Sequence, residues 1–177
     1  MNYSLERFEK ETDIVSYIDG YVNVEEFLPR CMECGSYGRV WSCPPFQFDP
    51  MELWRSYRRI LIQGYRLSFG EDRTKETMTE ALWKVKEHLS EELFVQEREF
   101  PGSLALSAGS CQLCEGCTRP EGVSCRDKER MRYSIESLGG DCGGALEKYF
   151  GEILQWAHGN RLPEQIILLG GLLLPKE

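Results

Sequence analysis

Cys111-Gln-Leu-Cys114-Glu-Gly-Cys117, followed by Cys125, constrains this chain more than any other stretch. The pattern is C-x2-C-x2-C-x7-C. Two successive two-residue gaps let three thiolates converge on one small object with the backbone wrapped around it. Bacterial ferredoxins hold a cubane [4Fe–4S] cluster with the same triple spacing. Gly109, Gly116 and Gly122 free the loop to fold back, and its amides can donate to sulfur. Structural zinc sites usually pair two C-x2-C knuckles across a longer gap, and here the third cysteine follows too closely to start a second knuckle. The spacing favours Cys111, Cys114, Cys117 and Cys125 as ligands of an iron–sulfur cluster, with zinc as the alternative.

A second set, Cys31, Cys34 and Cys43, reads C-x2-C-x8-C-P-P. Pro44 removes an N–H after the last cysteine and turns the chain away. Three thiolates are one short of a closed site, and three answers compete. Cys142 supplies the fourth, or Cys125 crosses over as in two-cluster ferredoxins, or one coordination position stays open to a small molecule. Tyr37 and Trp41 either cover a metal centre here or pack the loop. The eight cysteines are many for a chain expected in the cytoplasm, where a reducing environment disfavours disulfides. Neither histidine, His88 nor His158, is near a cysteine in sequence, so all-sulfur sites are favoured.

The 177 residues suit one domain, 1–177, carrying cysteine-rich segments at 31–45 and 109–126. No apolar run reaches the roughly 20 residues that span a bilayer, and the first residues do not read as a signal peptide. No membrane role is expected. A net charge of −8 argues against a broad nucleic-acid footprint. Arg55, Arg58, Arg59 and Arg66 read as a solvated face. Phosphate-loop, serine-hydrolase and zinc-protease motifs are missing from the sequence.

The apolar periods predict a small sheet packed by helices, α/β or α+β, with the cysteine loops together at one end. A hairpin is expected at 14–18 and 21–24 around Asp19-Gly20. Asp49-Pro50-Met51-Glu52 opens a helix, and 60–69 reads as a strand. Met78, Ala81, Leu82, Val85, Leu89 and Leu93 stripe a helix over 74–96, with His88 at its boundary. A strand at 103–108 feeds the second cysteine cluster, and a short helix covers 133–138. Leu146, Tyr149, Phe150, Ile153, Leu154 and Ala157 predict a helix that stops at Gly159, with His158 in its last turn. The Gly-Gly-Asp-Cys-Gly-Gly turn before it offers a weak anion cradle. The last strand, 166–169 and 172–174, is expected to bend or bulge at Gly170-Gly171.

Cys31-x2-Cys34-x2-Tyr37-Gly38-x2-Trp41-x-Cys43-Pro44-Pro45 resembles the N-terminal signature of a prokaryotic domain-of-unknown-function family described as predicted metal-binding proteins. Gly109-Ser110-Cys111-x2-Cys114-x2-Cys117, with Cys125-Arg126 and Ser134-Ile135-Glu136-Ser137-Leu138-Gly139, resembles its C-terminal signature. The resemblance implies iron–sulfur binding and an anaerobic setting, and it implies no particular reaction. Seven cysteines fall on the pattern. Cys142 stands where an aliphatic residue is expected, and Tyr133 where proline is more usual.

These readings converge on an iron–sulfur protein with one or two [4Fe–4S] clusters, acting in electron transfer with a redox partner protein or in a redox accessory role. An enzyme with an open iron at the Cys31–Cys43 segment is the first alternative. A zinc-stabilised binding module is the second.

Overall fold

Strand β2 (Tyr57–Phe69) organises the chain because both of its faces are covered. In the computed structural model, which describes residues 3–159 and 161–176, β2 lies between β1 (Tyr3–Asp13) and β4 (Gln165–Pro175). The short β3 (Leu104–Leu106) completes a four-stranded sheet of order β1-β2-β4-β3, and every pairing is antiparallel. The fold is therefore α+β. The remaining helices are α1 (Ile14–Tyr21), α2 (Val24–Glu33), α3 (Pro50–Arg55), α4 (Lys75–Glu99) and α5 (Cys142–Phe150). None of the helices among the described residues is long and apolar enough to cross a membrane.

Alternate residues of β2 serve two cores, as the period of a strand requires. Tyr65 and Leu67 pack with Val85, Leu89 and Leu93 of α4. Ile60 and Ile62 pack on the other face with Tyr17 of α1, Trp54 of α3 and Leu146 of α5. Gln63 is fully buried on the α4 side, where it bonds Gln96 at 2.7 Å and accepts from Arg7 at 3.0 Å, so its polarity is satisfied. Each wholly buried aliphatic side chain in these layers contributes about 1.5–3 kcal/mol.

Local signals hold in several places. Asp49 caps α3 through the Met51 N–H, with Pro50 in the first turn. Thr74 caps α4, and of its predicted stripe all but the partly buried Leu82 are buried. Arg59 pairs with Glu11, and Arg66 pairs with Glu6 and Glu152, so this part of the basic run is neutralised by neighbours.

Four expectations give way. The 14–24 region is no hairpin: Asp13 accepts from the N–H groups of Val15 and Ser16 and starts helix α1, and α2 follows after Asn23. Helix α5 ends at Phe150, because Gly151 takes a left-handed φ of 68°. His158 therefore lies outside any helix and bridges to Arg161. β4 runs straight through Gly170-Gly171; a Cβ on Gly170 would stand 2.7 Å from the Leu106 carbonyl and 3.0 Å from Leu93, so glycine serves close packing there, not a bend. The Gly-Gly-Asp-Cys-Gly-Gly turn is no anion cradle, since the Asp141 carboxylate itself accepts from Gly144 N–H at 3.0 Å and caps α5.

Candidate metal centre

β3 delivers the chain into the second cysteine segment, and the base of that loop is closed. Ser107 N–H donates to the Tyr133 carbonyl at 2.8 Å. Glu97, near the end of α4, reaches both sides of the closure: it accepts from the Ala105 N–H at 2.6 Å and from Arg132 Nε at 2.8 Å. Burial pushes the Glu97 carboxyl up, but Arg132 and the Ala105 N–H outweigh it and hold the group below its ordinary range. Between these ends, Cys111, Cys114, Cys117 and Cys125 all line one cavity of roughly 500 Å³, together with Trp41, Trp83 and Met131. Burial pushes the Cys111 thiol up; the Leu113 N–H opposes, and the charges of Cys125, Cys114 and Cys117 add to the rise.

The residues present fit a thiolate-bound metal group. Four thiols are a soft donor set that suits iron–sulfur clusters or zinc. The cavity is many times the roughly 30 Å³ that one water takes. Among the described residues, no three His, Cys, Asp or Glu side chains already stand grouped around a single-ion position.

The first cysteine segment is built differently. Cys31 lies in the last turn of α2, Cys34 is that helix's C-cap, and Cys43 lies in the irregular stretch that follows. Cys34 is exposed, Cys31 half-buried and Cys43 buried. Burial pushes Cys43 to about 11, with the Ser42 bond opposing and the charges of Cys34 and Cys31 adding. Burial also raises Cys31, followed by Cys34 and Glu136.

Four side chains join the two segments. Ser42 Oγ, fully buried, accepts from the Cys111 N–H at 2.9 Å. Trp41 Nε1 donates to Thr118 Oγ1 at 3.3 Å and to the Val123 carbonyl at 3.1 Å. Arg119 donates to the carbonyls of Val40 (2.8 Å), Cys43 and Pro45, and its guanidinium stacks over the Trp41 ring. Trp41 thus ties the loops, and the cavity it borders is that of the second segment and not of the first. Sequence reading passed over Ser42 and Arg119; their only signal was a place beside a cysteine segment.

Cys142 does not line the cavity of the second set. It is buried in the core beside Tyr17 and Leu146, and the charges it feels are those of Glu136 and Asp141. His88 does not line it either, with its ring against Tyr65 and its Nε2 3.8 Å from Glu92.

One protein-family model, Predicted metal-binding protein (DUF2284), matches residues 19–174. The chain belongs to that family. No curated protein and no solved structure matches the chain. The DUF2284 match takes in both cysteine segments and the closure at Ser107 and Tyr133, leaving outside it β1 and most of α1.

Proposed function

We propose that this metal-binding protein is an iron–sulfur protein that holds a [4Fe–4S] cluster on Cys111, Cys114, Cys117 and Cys125. The observation that carries the reading is the arrangement of four thiols around a single roomy cavity, on a loop whose base is pinned by Glu97. Such a cluster supplies one-electron chemistry when bound. Trp41, Trp83 and Met131 wall the cavity and limit water, which tunes a potential. Electron transfer to a protein partner, or a redox accessory role, follows from that setting.

Cys31, Cys34 and Cys43 form the second metal site of this reading. Their spread from exposed to buried favours a second function, an enzyme whose first site leaves one position open to a small molecule. Anaerobic purification followed by iron, sulfide and zinc analysis, with EPR of the reduced state, tests these readings. About eight irons support two clusters and about four support one. A spectrum perturbed by added small ligands supports the open position. Zinc without sulfide overturns the iron–sulfur reading and leaves a zinc-stabilised binding module.

A further inference from the structure

β1 is an outermost strand of the sheet, and its free edge is long. It pairs with β2 over its whole length, from Tyr3↔Phe69 to Asp13↔Arg59. Among the described residues, nothing pairs with its other side. One hydrogen bond settles which residues turn their backbone outward. Phe69 N–H donates to the Glu164 carbonyl at 2.9 Å, on the β4 side of β2. Backbone groups alternate sides along a strand, so those of Ser68, Arg66, Gly64 and Ile62 point to β1. Their partners there are Ser4, Glu6, Phe8 and Lys10. The N–H and C=O groups of Leu5, Arg7, Glu9 and Glu11 therefore point away from the sheet, and all four residues are exposed.

A bare edge invites another strand, and charged side chains are a common defence against it. β1 carries many charges, but their order has the opposite effect on a second copy of itself. Read about Phe8, the stretch Glu6-Arg7-Phe8-Glu9-Lys10 is self-complementary. When two copies run antiparallel with Phe8 opposite Phe8, each Arg7 faces Glu9 of the other copy. Each Glu6 likewise faces Lys10 of the other copy, and no like charges are opposed. Arg7 and Glu9 both turn their backbone outward, so the same register satisfies the hydrogen-bond pattern. A centre at Arg7 or at Glu9 sets that residue against itself, and a centre at Glu6 or Lys10 does the same. Lys10 is exposed and enters no ion pair among the described residues. Phe8 packs on Phe150 with ring centroids 4.5 Å apart, so the middle of the strand is anchored.

We propose that this protein forms a twofold homodimer in which the β1 edges of two copies pair antiparallel about Phe8, joining their sheets into one. A twofold axis closes the assembly, because it uses up both free β1 edges. Main-chain hydrogen bonds supply the attraction, as in other strand additions. The charges select the partner and the register, since an exposed ion pair by itself is worth little. The inference goes beyond the cluster reading and does not rest on it. β1 is the edge away from β3, so the loop that β3 feeds stays at the far side of each half.

Sedimentation velocity on the anaerobically purified protein, over a dilution series, tests this. The wild-type chain sediments as a dimer that dissociates on dilution. Arg7→Glu and Glu9→Arg each set like charges across both symmetry-related pairs, and each weakens association by about tenfold to a hundredfold. Mixed in equal amounts, the two variants regain association, because every cross-pair again joins opposite charges. Variants that had merely failed to fold would not regain it. Lys10→Glu, which breaks no ion pair of the single chain, weakens association as well. A monomer at every concentration overturns the proposal. So does a dimer that the single reversals leave intact, or a mixture that stays dissociated.

Discussion

The 109–126 segment is closed at its own base, whereas the 31–45 segment is held largely from outside. The first of these starts from β3 and returns to it at Tyr133, with Glu97 spanning the closure. Its four thiols line one cavity as a consequence of short loop spacing. The other distributes three thiols over a helix turn, a helix cap and an irregular stretch, and receives Arg119 and Thr118 from its neighbour. A compact motif can organise a site by covalent spacing alone; a dispersed one needs a second segment to hold it. Damage to the compact loop should therefore spread to the dispersed one more than the reverse.

The largest expected effect is Cys117→Ser. On the proposed iron–sulfur reading, it removes about four irons per chain and the reduced-state EPR signal that goes with them, while Cys34→Ser spares that signal. Retention of all iron by Cys117→Ser would break the comparison at its root. Arg119→Ala comes next. It strips several carbonyls of a charged donor, costs about 3 kcal/mol in denaturant unfolding, and lowers metal at the first segment with every cysteine intact. If metal there is unchanged, the 31–45 segment holds itself.

Glu97→Gln costs about 1–2 kcal/mol near neutral pH, because a charged acceptor becomes a neutral one. The pH dependence has a definite sign. The folded Glu97 carboxyl lies below its ordinary 4.5, so its contribution is complete above that value and is lost as pH falls through the folded pKa. The protection factor of the Ala105 N–H against hydrogen exchange, followed downward from neutral pH, should fall in wild type and be lower throughout in the variant. Trp41→Phe keeps the aromatic stack with Arg119 but loses the indole donor, for about 1 kcal/mol. Cys142→Ser is the smallest change: iron content stays at the wild-type value, because the thiol lies in the core beside Tyr17. Loss of iron there would make Cys142 the missing ligand.

Much of the scaffold was legible where one residue or one period decides the local conformation. The stripe from Met78 to Leu93 specified α4, and Asp49-Pro50 specified the start of α3. Legibility failed where two local signals competed. Asp19-Gly20 is a good hairpin turn, yet Asp13 caps a helix through it. The apolar pattern from Leu146 to Ala157 ran on past Gly151, whose positive φ ends α5. β1 carries mostly charged residues and little alternation, and only its pairing with β2, from Tyr3↔Phe69 to Asp13↔Arg59, makes it a strand.

The sequence by itself determined that Cys111, Cys114, Cys117 and Cys125 would share a loop, because spacing along the chain limits how far neighbouring thiols can part. Membership in a metal-binding family is consistent with that. Only the tertiary structure decided what holds the first cysteine segment, where Cys142 lies, and that β1 takes an outer edge of the sheet. Those relations join residues far apart in sequence, and they are fixed by sheet pairing and buried hydrogen bonds that no local pattern encodes.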